Sequence, residues 1–220
     1  MYMELTDISK NIRKTTILHD INLRLEGGRV YGLRGKNGCG KTMLMRVMAG
    51  LIKPTTGKVV INEKELWKDM TFPDSIGVLI ENPSFIDGYT GYKNLKMLAD
   101  IKGIIGEEEI RDALIKVGLN PEDKRKYRKY SLGMKQKLGI ACAFMEHPDI
   151  VIMDEPINAI DQSGVELVRN IMDELKEEGR IIIIACHDAE EMELLADKIF
   201  VMEEGTIIGT KDKGRDQEKQ

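Results

Sequence analysis

The run GKNGCGKT, Gly35 to Thr42, constrains this chain more than any other stretch. It follows the β-branched and aromatic run RVYGL at 29 to 33 and leads into an amphipathic segment, so the pattern G-x-x-x-x-G-K-[ST] stands in strand, loop and helix context. Successive backbone N–H groups of such a loop turn inward around an anion, and a Cβ atom would obstruct them, which is why the pattern needs glycine. Lys41 brings charge to the terminal phosphates, the Thr42 hydroxyl is placed to ligate Mg²⁺, and the following helix adds its positive dipole end. Gly35, Lys36, Asn37, Gly38, Cys39, Gly40, Lys41, Thr42 and Met43 are therefore the expected cradle of a nucleoside triphosphate. Cys39, at a helix start, is expected to be a small tolerated residue whose alkylation bound nucleotide would block.

A phosphate loop of this kind belongs in an α/β fold, and the rest of the chain agrees. Short apolar runs at 58 to 61, 76 to 80, 150 to 153, 181 to 186 and 198 to 202 read as further strands. Amphipathic patterns at 42 to 49, 107 to 117, 134 to 144, 164 to 178 and 189 to 196 read as helices between them. From about Thr90 to Lys129 helical periodicity dominates without a strand, which marks a helical insert, bounded at about 90–148. With 220 residues the expectation is one domain over 1–210, followed by a polar, flexible tail at 211–220. The basic run KRKYRKY at 124 to 130 reads as a solvated loop, with a phosphate or partner contact as the other reading.

Composition narrows the partners. A net charge of -4 gives no broad basic surface for nucleic acid, and no apolar run approaches the roughly 20 residues that a membrane-spanning helix needs. The opening MYMELTDISK lacks the pattern of a signal peptide, so a cytoplasmic location is expected. The 3 cysteines are odd in number and widely spaced, which fits reduced thiols.

Two further strands end in chemistry. IVIMDEP carries Asp154 and Glu155 to the carboxyl end of a buried strand, where open α/β sheets bind ligands. Asp154 is expected to hold Mg²⁺ and Glu155 to polarise the water that attacks the γ-phosphate. His187 follows IIIIAC at another strand end. Alone it would read as structural, but beside these motifs it reads as a hydrogen-bond donor to the γ-phosphate or the attacking water. Glu81 ends the run IGVLIE in the same way.

GKNGCGKT, YSLGMKQ at 130 to 136, IVIMDEP, NAID at 158 to 161 and His187 together resemble the ATP-binding cassette (ABC) family, over about Met3 to Gly209. The resemblance implies a P-loop NTPase core with a mainly parallel sheet, an N-terminal antiparallel β subdomain and the helical insert. YSLGMKQ is similar to that family's signature motif, whose serine and glycines contact ATP held by the opposite subunit; Ser131 and Gly133 match, while Leu132 and Met134 depart from the usual glycine and glutamine. Asp161 matches the D-loop position. The resemblance further implies a homodimer or paired cassette around two ATP molecules, with transmembrane subunits as partners and a peripheral place at the inner face of the membrane. Ile12 falls where the family carries an aromatic residue that stacks on adenine. Glu81 falls where most members have a glutamine that touches Mg²⁺ and links cassette to membrane partner. A subgroup that exports bacitracin and lantibiotics is similar in having glutamate there, together with SLGMKQ. The expected function is thus the ATP-hydrolysing subunit of an antimicrobial-peptide exporter, the alternatives being an ABC ATPase for another cargo or a non-transport cassette. A GTPase is disfavoured, because no NKxD motif occurs.

Overall fold

The structure, a computed structural model, describes residues 1–213. In chain order the elements are β1 (Tyr2–Ile12), β2 (Thr15–Glu26), β3 (Arg29–Arg34), α1 (Lys41–Met48), β4 (Thr56–Ile61), β5 (Lys64–Glu65), β6 (Ile76–Leu79), α2 (Gly91–Lys102), α3 (Glu107–Lys116), α4 (Leu132–Phe144), β7 (Ile150–Asp154), α5 (Gln162–Glu177), β8 (Ile181–Cys186), α6 (Ala189–Leu195), β9 (Lys198–Glu203) and β10 (Thr206–Asp212). A single 3-10 turn at Tyr127–Lys129 precedes α4.

Two sheets carry the fold. The larger has the order β10-β9-β3-β8-β7-β6, parallel throughout except for the antiparallel edge pair β9 and β10. The smaller, β2-β1-β4-β5, is antiparallel. The central parallel strands are apolar without a break because both of their faces are covered. Ile150, Ile152, Ile181 and Ile183 turn toward one core, which they share with Leu44, Met45, Val47 and Met48 of α1 and Met3, Leu5 and Ile8 of β1. Val151, Met153, Ile182 and Ile184 turn toward the other, with Leu138 of α4 and Val168, Ile171 and Met172 of α5. Helix α1, with the phosphate loop before it, is thereby held between the two sheets. Ile181 to Ile184 are each 0% exposed, and burial of one such side chain contributes about 1.5–3 kcal/mol.

β1 and β2 do not announce themselves by strict alternation, and the register explains why. Shifts occur between Leu5 and Ile8 and again between Ile8 and Lys10, and Asp7 and Asp20 take positive φ of 52° and 43°. Each irregularity moves the inward face by a residue, so the inward set in β1 is Met3, Leu5 and then Ile8.

At the other end the structure corrects the sequence reading. Residues 211 and 212, expected to open a flexible tail, complete β10: Lys211 pairs with Ile199 and Asp212 with Lys198, and Arg29 forms an ion pair with Asp212 at 3.3 Å. The ladder to β9 orders these polar residues although they bury no apolar side chain. Residues 214–220 lie outside the described residues. The run at 124–130 also differs from a merely solvated loop. Its cations are exposed, but Tyr127 and Tyr130 are buried; the Tyr127 hydroxyl donates to Pro83 O at 2.7 Å and the Tyr130 hydroxyl accepts from Gly91 N at 3.2 Å. The tyrosines pin the segment to the loop that follows Glu81.

Candidate functional site

The phosphate loop connects β3 to α1. Gly40 precedes the helix at φ 105°, a conformation an L side chain rarely adopts, and its carbonyl accepts the first helical bond from Leu44 N at 2.9 Å. Lys41 is buried, and its ammonium donates to the carbonyls of Gly35 at 2.6 Å and Lys36 at 3.3 Å. The loop is thus folded around its own cation. The next side chain, Thr42, donates its hydroxyl to Asp154 Oδ2 at 2.6 Å.

Parallel pairing of β7 with β8 sets the acid pair. Asp154 lies opposite Ala185, and the Glu155 N–H donates to Ala185 O at 2.9 Å. One residue beyond each strand end, Glu155 Oε2 and His187 Nδ1 meet at 2.9 Å although 32 residues separate them. Glu155 has φ 50°, a left-handed conformation that glutamate does not favour, and the neighbouring backbone bonds hold it there. Burial pushes the Asp154 carboxyl above its usual range, partly offset by the Thr42 hydroxyl. The hydrogen bond that His187 donates to the Glu155 carboxylate raises the imidazole above its ordinary value.

Lys41, Thr42, Glu81, Asp154 and Glu155 line one cleft of about 400 Å³, together with Ile17, Arg46 and the loop residues Asn37, Gly38, Gly40 and Met43. A half-buried carboxylate and a hydroxyl side by side are hard oxygen donors of the kind Mg²⁺ takes, and a cation would offset the desolvation that raises Asp154. The donor set therefore fits Mg²⁺. Glu81 sits two residues beyond β6 at φ 65° and forms an ion pair with Arg46 of α1. Its charge is offset by Arg46 and not by Lys41, which the loop carbonyls hold. Gly35, Lys36 and Cys39 face a second hollow of about 400 Å³ beside β9 and β10, and Cys39 is 7% exposed. Ile12 is exposed at the end of β1, so the aliphatic wall of the nucleotide cleft is Ile17.

The signature residues stand elsewhere. Ser131 caps α4, its hydroxyl accepting from Met134 N at 3.2 Å. Gly133 passes so close to the loop after the acid pair that a Cβ would lie 2.7 Å from Ala159 O. Asp161 forms an ion pair with Lys137 at 3.5 Å and accepts from the Ser163 hydroxyl at 2.9 Å, which hold its carboxyl below the usual range. Ser131, Gly133 and Asp161 line a separate cleft of about 640 Å³ that shares no residue with the first. One chain thus carries two separate clefts.

Three residues of consequence were not singled out from sequence. Arg46 lies one helical turn after Thr42, a spacing that could have placed it on the same face. Gln136, within YSLGMKQ, is buried and donates to the carbonyls of Glu155 at 2.9 Å and Pro156 at 3.2 Å. Cys186, the residue before His187, is buried against Glu191, its Sγ 3.5 Å from Oε2, and burial pushes its thiol up to about 12.

A phosphate loop at the end of β3, an acid pair at the end of β7 and a helical insert whose last helix is capped by Ser131 define an ATPase of the cassette class. The chain belongs to the ABC transporter family, whose profile matches residues 18–158. It is 44% identical over 205 residues to the uncharacterized ABC transporter ATP-binding protein YybJ of Bacillus subtilis, covering 93% of this chain and 94% of that one. It is 40% identical to the bacitracin transport ATP-binding protein BcrA of Enterococcus faecalis, covering 94% and 68%. To the lantibiotic transport ATP-binding protein SrtF of Streptococcus pyogenes the identity is 37%, covering 96% and 90%. Among solved structures, an ATP-binding subunit of an ABC transporter superposes with a TM-score of 0.87 at 26% identity, covering 99% of this chain and 93% of that one. The dimeric ATP-binding cassette MJ0796 bound to ADP and phosphate shares the fold, with a TM-score of 0.85 at 20% identity and coverage of 96% and 98%.

Proposed function

We propose that this chain is the ATP-hydrolysing subunit of an exporter of antimicrobial peptides of the bacitracin or lantibiotic kind, acting with separate membrane subunits. The observation that carries the chemistry is the convergence of Lys41, the Thr42–Asp154 pair and Glu155 on one cleft, with His187 bonded to Glu155 at its side. The cargo class rests on the bacitracin and lantibiotic transport relatives, which match the chain over nearly its whole length. Among the described residues no helix is long and apolar enough to cross a membrane, which fits a peripheral subunit at the inner face of the membrane. The working unit is a single nucleotide-binding domain that runs through the end of β10 at Asp212, with its helical insert at 90–148.

Lys41, with its ammonium fixed between two carbonyls, is pre-placed to meet phosphate oxygens without a search of rotamers. Thr42 and Asp154 would hold Mg²⁺, which when bound neutralises phosphate charge. Glu155 takes the proton of the attacking water, and His187 fixes the carboxylate by its hydrogen bond and steadies it against rotation. Ser131 and Gly133 face the nucleotide of a second cassette, so hydrolysis requires a pair. The test is Mg²⁺-dependent ATP binding and turnover by the purified chain. Glu155→Gln should bind ATP as well as the unchanged protein, accumulate as a dimer, and lose about 10²–10⁴-fold in hydrolysis. Unchanged turnover would remove Glu155 from its role, and absence of ATP binding would end the reading altogether.

A further inference from the structure

Glu155 and His187 have a third neighbour that hydrolysis does not use. Glu155, Cys186 and His187 place a carboxylate oxygen, a thiol sulfur and a ring nitrogen within 4.8 Å of one another. We propose that these three side chains form a binding site for a zinc-class divalent cation, and that its occupancy switches hydrolysis off.

The donor set selects the metal. Mg²⁺ is held by oxygen and has no use for a sulfur, whereas Zn²⁺ is held by one sulfur, one imidazole nitrogen and one carboxylate oxygen with equal ease. The site is therefore chemically distinct from the Thr42–Asp154 pair next to it. Tetrahedral zinc, with bonds of about 2.0–2.3 Å, sets its donors roughly 3.3–3.7 Å apart. The Glu155–His187 pair, at 2.9 Å, opens slightly to accept it, and the sulfur closes by side-chain rotation on the order of 1 Å.

Access follows the burial. His187 is exposed, Glu155 is half-buried and Cys186 forms the floor. A cation entering from solvent meets imidazole and carboxylate first and the sulfur last, and the thiol proton leaves to solvent as the metal–sulfur bond forms. Glu191 Oε2, 3.5 Å from the sulfur, accepts the thiol's hydrogen bond, so the entering cation displaces that proton, and water takes the fourth position. A carboxylate and an imidazole bound to a cation no longer accept the proton of an attacking water.

The inhibition rests on the ATPase reading above, but the binding does not, so the two are tested apart. The full, nucleotide-free chain is titrated with Co²⁺ as the probe. One equivalent should produce the near-ultraviolet thiolate-to-cobalt absorption, which should vanish in Cys186→Ser and Cys186→Ala and persist in Cys142→Ser. In Mg²⁺-ATP hydrolysis with buffered free Zn²⁺, both Cys186 variants should keep the basal rate and need at least about tenfold more zinc for half-inhibition, as loss of a ligand costs no less than loss of its outer partner. No cobalt–thiolate absorption in the unchanged protein, or equal zinc sensitivity in the Cys186 variants, would overturn the site. The absorption together with no ATP hydrolysis would uphold the site and overturn the proposed function instead.

Discussion

Gln136→Ala isolates a positioning group from the groups that touch nucleotide. Gln136 is 8% exposed, and its amide donates to the carbonyls of Glu155 at 2.9 Å and Pro156 at 3.2 Å. The Glu155 carbonyl also accepts from Asn158 N at 3.2 Å, so it keeps a partner; the buried Pro156 carbonyl loses its own. Two hydrogen bonds at about 1 kcal/mol each, with the hole left by the amide, give a loss of about 2–3 kcal/mol. In a chain of this size that lowers the melting midpoint by about 5–10 °C. Because Glu155 sits at φ 50°, a conformation its neighbours impose, release of its carbonyl should let the backbone relax and carry the carboxylate away from His187. The expected kinetic result is a fall of about tenfold in kcat with little change in the KM for ATP, the pattern of an interaction made in the transition state. Calorimetry and steady-state hydrolysis measure both arms, and Gln136→Glu, which keeps the shape but loses the donors, should show the same kcat loss. A midpoint within 1 °C of the unchanged protein together with normal kcat would refute the reasoning that α4 holds the catalytic loop.

Asp154→Asn should uncouple stability from activity: it removes a half-buried charge whose pKa desolvation raises, so the nucleotide-free chain should melt about 2–4 °C higher, the shift expected for ~1 kcal/mol, while Mg²⁺-dependent hydrolysis disappears. A lower midpoint would show that Asp154 is held by more than Thr42. His187 has its pKa raised by Glu155, so the stability it adds is fully present below about pH 6.5 and is lost as pH rises through the raised value. The difference in melting midpoint between the unchanged protein and His187→Ala should therefore shrink with rising pH, and a difference that grows would reverse the sign of the pairing. Glu81→Gln should leave the midpoint nearly unmoved, since the Arg46 pair is largely exposed, and hydrolysis close to normal, yet lower cargo export by the assembled transporter. Normal export would return Glu81 to an ordinary strand-end acid.

The residues legible from sequence were those whose chemistry is local. GKNGCGKT declares its loop because the glycines, the lysine and the hydroxyl lie within eight consecutive positions, and IIIIAC declares a strand because both its faces are buried. β1 and β2 were hidden from periodicity by their bulges at Asp7 and Asp20, and only the family resemblance implied them. β10 was hidden for a different reason: its last residues are polar, and backbone pairing with β9 orders them where side-chain burial does not. Contacts across the chain were least legible. Arg46 and Glu81 meet 35 residues apart, and nothing in either neighbourhood names the other. The Glu155–His187 contact depends on the register of β7 against β8, which is a property of the sheet and not of either motif.

Helix α4 joins the two clefts. Its first residue follows Ser131, the group proposed to meet the opposite nucleotide, and one turn later two adjacent side chains grip the loop after the acid pair at both ends. Gln136 holds the carbonyls of Glu155 and Pro156, while Lys137 holds the carboxylate of Asp161 at 3.5 Å. Gly133 lets that loop approach the helix closely, since a Cβ there would press on Ala159 O. A helix is stiff along its axis, so a displacement of Ser131 by nucleotide in a second cassette would move Gln136 and Lys137 with it, and with them the backbone that sets Glu155. Lys137→Ala frees one end of the loop and leaves the other tethered. It should therefore weaken the dependence of hydrolysis on pairing while ATP binding to the single chain stays as it was, and a turnover curve against protein concentration that keeps its shape would show that the link runs elsewhere.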